Sequence, residues 1–302
     1  MIQKIVVHNY RNESIELELS NPDSSGFLIT DISGIGPCKA QINTTEVSTN
    51  DGSIYNSARL NARNIVLKLT FVGTDIESIR QKSYKFFPIK KPLTLEFVTD
   101  NRDCVASGYV ESNEPDIFSS DEGASISIIC PDPNFYSAQA DSNTTTFYGE
   151  EPLFEFPFEN NSLTENLIEM GSINSYTDAN VFYDGDSEVG VIITIHAIDE
   201  ATGITIYNTG TREKMAIDTD KIKIITGDGI IAGDDIIIST VRGKKSIQLL
   251  RAGVYTNILN ALDKNSDWFQ LAKGDNVFTY TAVTGINNLQ FKVQNDIVYE
   301  GV

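Results

Sequence analysis

The stretch DGSIYNSARLNARNIVLKLTF, from Asp51 to Phe71, begins as a polar segment and becomes a strand with a strict two-residue hydrophobic period. If the segment is extended, Ile65, Leu67, Leu69 and Phe71 lie on one face, because successive side chains of a strand point to opposite sides of the sheet. This alternation predicts an antiparallel strand with one face in a core and the other toward solvent.

The same period recurs along the chain. LTLEFVT places Leu93, Leu95 and Phe97 on one face, and SISIIC does the same for Ile126 and Ile128. Short runs separated by Gly, Asn and Asp fill the second half, as is typical of an antiparallel sandwich or barrel. The strands predicted there are GVIITIHAI, GITIYN, KMAID, KIKIIT, GDDIIIST, KSIQLL, NVFTYTA and NLQFKV. The sequence therefore predicts a mainly β protein.

One segment, TDIESIRQKSYKFFP, has helical spacing and predicts an α-helix over about 75–87. Thr74 and Glu77 fit a capping box at its start. Pro88 ends it, because the residue before a proline disfavours the helical conformation. We expect the apolar stripe of this helix to pack on the sheet.

The composition changes near the middle of the 302-residue chain, where CPDPNFYSAQADSNTTTFYGEEP is rich in Pro, Ser, Asn and Thr. Such a segment contributes little to a core and is typical of a linker. We therefore predict an N-terminal β-sandwich or barrel domain at 1–140, a linker at 141–152, and a C-terminal β-sandwich at 153–302.

The formal charge is −19, with 12 Lys/Arg and 18 Asp/Glu in residues 1–140 and the larger acidic excess in the rest. Binding a phosphate backbone requires clustered cations, so we predict no specific nucleic-acid binding. The opening MIQKIVVHNY lacks the apolar core of a signal peptide, and no apolar run reaches membrane-spanning length. We therefore expect synthesis in the cytoplasm and no membrane partner.

The three cysteines, Cys38, Cys104 and Cys130, are odd in number and irregularly spaced. This is a poor disulfide framework, and free, buried thiols in a reducing compartment are the preferred interpretation.

No catalytic constellation is visible. The two histidines, His8 and His196, are far apart, and no HExxH, GxSxG or GxxxxGK[ST] motif occurs. Asp228, Asp234 and Asp235 could ligate calcium, but their spacing is not that of an EF-hand, and hairpin turns use Asp and Gly for backbone reasons. We predict no catalytic residue, no cofactor and no metal.

Aromatic side chains offer one further site. Tyr255 and Trp268, with the neighbouring Phe269, could form a platform on which a sugar stacks. The alternative is that the single tryptophan belongs to the core.

Five segments in order over about 130 residues resemble the distal tail proteins of long-tailed bacteriophages and related phage-like tails. They are an N-terminal strand with a polar turn, ITDISGIGPCKAQINT, DGSIYNSARLNARNIVLKLTF, DIESIRQKSYKFFPIKKPLTLEFVTDNR, and GYVESNEPDIFSSDEGASISIICPDPNFY. In the second half, NILNALDKNSDWFQLAKGDNVFTYTA and the ending IVYEGV are similar to the galectin-like β-sandwich that forms the second domain of this family.

The resemblance implies a non-enzymatic structural virion protein that forms a homohexameric ring at the tail tip, assembled in the cytoplasm of the bacterial host. The implied partners are the major tail or tube protein, the end of the tape-measure protein, a tail-associated spike or lysin protein, and receptor-binding or baseplate proteins. A carbohydrate-binding adhesin acting through the C-terminal sandwich is the alternative. An enzyme acting on cell-wall polysaccharide is disfavoured, because no acid/base pair can be named.

A ring subunit has to cover its sheet edges with its neighbours, because exposed edges promote aggregation. The polar loop Asn43–Ser57 could reach the next subunit and add such contacts. The residues predicted for this interface are Gly34, Gly36, Pro37, Thr45, Asn50, Asp51, Gly52 and Tyr55.

Overall fold

The computed structural model describes residues 1–46, 48, 51–138, 143–152 and 171–302, with no account of the side chains at 149–152 and 171–175. The chain divides into two compact units. The first comprises Met1–Ala140 and Val298–Val302, and the second comprises Asp141–Ile297.

The elements follow in chain order. The first unit contains β1 (Ile2–Asn9), β2 (Ser14–Glu18), β3 (Phe27–Ser33), β4 (Ala40–Glu46), β5 (Ser53–Leu60), β6 (Arg63–Phe71), α1 (Ile76–Phe86), β7 (Pro92–Thr99), β8 (Asp103–Asp116), β9 (Gly123–Cys130) and β10 (Phe135–Ser137). The second contains β11 (Asn143–Thr146), β12 (Tyr148–Pro152), β13 (Gly171–Ser175), β14 (Asp178–Tyr183), β15 (Val189–Gly190), β16 (Ile192–Ala197), β17 (Ile204–Asn208), β18 (Glu213–Ile217), α2 (Thr219–Thr226), β19 (Asp235–Ser239), β20 (Ser246–Arg251), β21 (Val254–Asn257), β22 (Gln270–Leu271), β23 (Gly274–Thr281) and β24 (Leu289–Asn295). The strand β25 (Val298–Tyr299) belongs to the first unit, and short 3-10 helices lie at Pro22–Ser24, Leu259–Ala261 and Ile286–Asn288.

The first unit is built on an antiparallel sheet with the strand order β2-β1-β7-β8-β9-β6-β3. The alternation that begins at Ile65 is confirmed, because Ile65, Leu67, Leu69 and Phe71 all lie in the core. The strand β10 adds to this sheet by pairing with both β8 and β25.

The predicted helix is confirmed as α1, but its cap differs from the prediction. The Asp75 carboxylate, and not the Thr74 hydroxyl, accepts a hydrogen bond from the Ser78 amide at 3.1 Å. Asp is as good an N-cap as Thr, and it lies one residue closer to the apolar stripe that the helix must bury. Phe86 and Phe87 then place their rings in the core.

The second unit contains a six-stranded sheet of order β11-β24-β16-β19-β20-β21 and a four-stranded sheet of order β14-β23-β17-β18. Tyr280 of the smaller sheet stacks on Phe291 of the larger, with ring centroids 3.6 Å apart, and Phe147 packs against both rings. These contacts bring the two inner faces together, so the predicted antiparallel β-sandwich is confirmed.

One predicted strand is wrong. KIKIIT lies within the helix α2, which Asp218 caps by accepting from the amides of Asp220 and Lys221, and which ends at Gly227 with φ of 91°. The short Lys/Ile alternation fits a strand equally well, but these two helix signals decide the local structure. Ile222 is buried as a result, whereas Ile224 is 84% exposed.

The segment predicted as a linker at 141–152 contains strands. Asn143–Thr146 pairs with β24, and Tyr148–Pro152 pairs with β13. The polar Asn and Thr side chains of β11 are mostly exposed, so no apolar alternation marks this edge strand in the sequence. Residues Val298–Val302 return to the first unit. The division at 140 and 153 into independent domains stays a prediction.

The three cysteines are free, with Cys104 and Cys130 buried and Cys38 half-buried. Burial raises the pKa of the Cys130 thiol to about 11, which keeps it protonated at neutral pH.

We expect Cys38 to react with a thiol reagent at pH 8 and Cys130 to react only after unfolding, because the thiolate is the reactive form. Mass spectrometry of timed labelling tests this, and native labelling of Cys130 as fast as that of Cys38 would contradict it.

Candidate functional site: a projecting ribbon and its anchor

The strands β4 and β5 form a two-stranded antiparallel ribbon of their own, and all of their residues are exposed. The loop predicted at Asn43–Ser57 is therefore mostly strand, because β4 extends to Glu46 and β5 starts at Ser53. An isolated ribbon of two strands is marginally stable in water. The ribbon therefore depends on its own cross-strand contacts, on its root in the first unit, or on a partner.

One face of the ribbon is polar apart from Ile54, which pairs with Thr45 near the tip and is 59% exposed. The Arg59 guanidinium donates to the Gln41 side chain at 2.8 Å, which fixes two long side chains across the strands. Further along, the register shifts between Asn43 and Thr44, where β5 has one extra residue. Two more cross-strand hydrogen bonds line this face, Asn43 to Ser57 at 3.0 Å and Asn56 to Thr45 at 2.6 Å.

The opposite face is apolar. Ile42 pairs with Ala58, Ala40 pairs with Leu60, and Tyr55 lies opposite Thr44, two residues along from Ile42. Ile42 is 61% exposed and Tyr55 is 63% exposed. A continuous exposed apolar surface on a projecting element is typical of a protein interface.

The root of the ribbon is held by Arg63, the first residue of β6, which is only 3% exposed. Its guanidinium donates four hydrogen bonds, and all four acceptors are backbone carbonyls. Nη1 binds the oxygens of Gly34 and Gly36 at 2.6 Å each, Nε binds that of Pro133 at 2.7 Å, and Nη2 binds that of Glu300 at 2.8 Å. The guanidinium also stacks over the Phe135 ring at 4.2 Å.

Arg63 thus joins three chain segments that are distant in sequence: the turn that leads into β4, the loop before β10, and the segment after β25. A buried charge is costly unless hydrogen bonds replace its water, and the carbonyl oxygens supply that replacement. Burial lowers the pKa of Arg63 from its ordinary value. An arginine side chain nevertheless stays protonated in a protein, so the hydrogen bonds are charge-assisted.

The predicted interface residues divide between root and ribbon. Gly34 is at the root, with φ of +83°, and a Cβ there would lie 1.9 Å from the Asn64 oxygen, so only glycine fits. Gly36 offers Arg63 its carbonyl, and Pro37 follows it toward the ribbon. Thr45, Asp51, Gly52 and Tyr55 lie on the ribbon or near its tip, and Asn50 lies outside the described residues.

Sequence reasoning gave Arg63 no role, although a signal was present. Arg63 continues the buried face of β6, two residues before Ile65. A charged residue on the core side of a strand has to find hydrogen-bonding partners, and this could have been read from the alternation. Its acceptors are backbone oxygens, however, and no residue type in the sequence identifies those.

The residues of the predicted sugar platform differ in exposure and in neighbours, and the platform stays a prediction. Tyr255 is 61% exposed and lies opposite Leu250 in β20. Trp268 is half-buried, and the centre of its ring lies 5.2 Å from the ammonium of Lys245, which precedes β20, whereas Tyr255 lies near the other end of that strand. Phe269 is fully buried and presents no face to a ligand.

The other polar candidates are dispersed. His8 lies 3.6 Å from Glu96, and His196 Nδ1 lies 2.7 Å from Asp235. Asp234 is buried and paired with the Arg251 guanidinium. In the described part of the chain, no group of three or more His, Cys, Asp or Glu residues is placed to hold a metal ion. Over the same residues, no helix combines the length and apolarity needed to cross a membrane.

No protein-family model and no curated protein matches this sequence. The fold described above is similar to that of a phage hub protein of known structure. That structure is the SPP1 Dit (gp 19.1) protein, described as a paradigm of the hub adsorption apparatus in Gram-positive infecting phages. The likeness has a TM-score of 0.61 at 12% identity and covers 97% of this chain and 98% of that one. The resemblance to distal tail proteins is thereby confirmed at the level of the fold.

Two structures of the phage P2 baseplate in its activated conformation also match, at 12% identity. The structure with Ca has a TM-score of 0.44 and full coverage of both chains. The structure with Sr has a TM-score of 0.41 and covers 96% of this chain and 97% of that one.

We expect Arg63→Ala to destabilise the first unit by about 3 kcal/mol or more, because it leaves four inward-facing carbonyl oxygens without their donor. Arg59→Ala is the matched control, since this exposed arginine binds one ribbon side chain, and its effect should stay within about 0.5 kcal/mol. Urea unfolding followed by circular dichroism measures both. Equal urea midpoints for the two variants would show that the hydrogen bonds from Arg63 to its four carbonyl acceptors do not stabilise the first unit.

Proposed function

We propose that this chain is a structural subunit of a phage or phage-like tail tip, where six copies form a ring. The observation that carries the proposal is the likeness to the SPP1 Dit protein over nearly the whole length of both chains. The exposed apolar face of the ribbon, on a root fixed by Arg63, supports self-assembly independently.

In the proposed ring, the ribbon of each copy lies on the body of the next, and its apolar face is the buried side. A contact between two different surfaces is heterologous, and it generates a closed ring when the rotation between copies divides the circle. The angle at which the ribbon leaves the body therefore decides whether the assembly closes. We propose that Arg63 holds that angle, because it binds the carbonyls of Gly34 and Gly36 in the turn that leads into β4.

The proposed role implies several partner proteins. At the tail tip the ring would join the tube protein and the end of the tape-measure protein to a spike or lysin protein, with receptor-binding or baseplate proteins attached. We propose assembly in the host cytoplasm and residence in the virion. We propose no catalytic role, and the carbohydrate-binding alternative has only the exposure of Tyr255 in its favour.

We expect the double substitution Ile42→Asp and Tyr55→Asp to abolish ring formation, because it places two charges on the side of the ribbon that the proposal buries. The matched control is Asn43→Asp with Ser57→Asp, which adds the same charge to the polar face and should leave rings intact. Mass photometry reads out particles of six times the 33.3 kDa chain mass.

Deleting residues 44–53 shortens the ribbon and tests the same contact a second time. Rings that persist in this variant and in the Ile42→Asp, Tyr55→Asp variant would exclude the ribbon from the interface. Wild-type protein that stays monomeric over the whole accessible concentration range would count against the ring itself.

A further inference from the structure

A second apolar projection lies in the first unit, at the turn between β8 and β9. Phe118 at the tip of this turn is 96% exposed, and its neighbour Ile117 is 38% exposed. The turn has a defined shape, since Asp116 accepts from the Phe118 amide at 3.4 Å and the Ser119 hydroxyl donates to the Asp121 carbonyl at 2.8 Å. A phenyl ring presented on an ordered turn is typical of an anchor for a partner protein.

The surroundings of Phe118 are acidic. Four carboxylates flank the ring within a few residues along the chain, and no Lys or Arg occurs in the sequence between Arg102 and Arg212. A partner surface for this tip therefore needs to be apolar at its centre and basic at its rim. The flanking carboxylates are Glu114, Asp116, Asp121 and Glu122.

The same unit carries a groove with this chemistry. Its volume is about 480 Å³, and it lies on the strands β1, β7 and β8. Pro92 pairs directly with Tyr109, and Tyr10 follows β1 on the other side of β7, so two tyrosines and a proline line the groove together. His8, Thr94 and Ser107 form a polar row beside them.

Two cations lie beside Tyr10, one of the lining residues of the groove, while Asp132 contributes a carboxylate to the lining. The Arg11 guanidinium lies 5.2 Å from the centre of the Tyr10 ring and donates to the Tyr10 hydroxyl at 2.8 Å, and the Lys91 ammonium lies 5.5 Å from the same ring. Within the described residues, neither cation lies within ion-pair distance of a carboxylate, although Glu13, whose pKa is lowered by its hydrogen bonds with Lys85 and Asn9, also feels the charge of Arg11. Asp132, also at the groove, accepts a hydrogen bond from the Tyr136 hydroxyl at 2.6 Å.

We propose that the Phe118 tip of one copy seats in the Tyr10–Tyr109 groove of a second copy. The phenyl ring would pack between the tyrosines, and the acidic flanks would face Arg11 and Lys91. A copy cannot fill its own groove, because Tyr109 and Asp116 are about 23 Å apart along β8. The inference deepens the proposed function, since it rests on assembly of copies and names a second contact between them.

Photocrosslinking tests the contact directly. We would place p-benzoylphenylalanine at position 118 of the full chain, mix it with an isotope-labelled wild-type chain at assembling concentration, and irradiate. The expected product is an intermolecular adduct to peptides that contain Tyr10, Pro92 or Tyr109. The control places the same photoprobe at Tyr84, another exposed aromatic residue of the first unit, and should give no adduct in the groove.

Charge exchange provides an independent readout. We expect Arg11→Glu with Lys91→Glu to lower the yield of the crosslink at least tenfold, and Asp116→Lys with Asp121→Lys on the tip chain to restore it. Adducts that map elsewhere, to the same chain, or not at all while rings are present would overturn the inference and leave the proposed ring standing. Groove adducts without rings would support the contact and count against the ring, and the absence of any self-association would overturn both.

Discussion

The structure of the first unit depends on the hydrogen bonds of one buried cation. Arg63 has four backbone carbonyls as acceptors and an aromatic ring as a stacking surface, in a position where the strand alternation calls for an apolar residue. An uncompensated charge there would be strongly destabilising, so the Gly34 turn, the Pro133 loop and the Glu300 segment must all be in place around it. The hydrogen bond from Arg63 to Glu300 alone connects residues that lie 237 positions apart.

This constraint has a structural consequence for the ribbon. An exposed two-stranded element is marginal by itself, yet this one leaves a fixed root and carries ordered cross-strand hydrogen bonds on one face. On its other face, Ile42 and Tyr55 are exposed to solvent. A rigid base with an uncovered apolar side suits an element that is completed by a neighbouring copy, because little conformational freedom remains to be lost on contact.

The sequence was sufficient where local physics decides the structure. Period-two runs such as Ile65–Phe71 predicted the core strands, and helical spacing with Pro88 predicted α1. It was insufficient where contacts between distant parts of the chain, or two local signals that favour different structures, decide the outcome. The ribbon was predicted as a loop because both of its faces are exposed and one is polar, and α2 was predicted as a strand because six residues fit both periods. The root of the ribbon depends on the hydrogen bonds of Arg63. Their acceptors are backbone oxygens that only the fold brings together, so no residue type in the sequence identifies them.

The central claim is that an anchored ribbon closes copies of this chain into a ring. Electron microscopy of the purified protein, with class averages refined without imposed symmetry, tests it most directly. The account predicts six-fold rings in which density for the ribbon of each copy, with its apolar face inward, lies on the next copy. Rings in which the ribbons point into solvent, or particles that hold a single chain at every concentration, would contradict it.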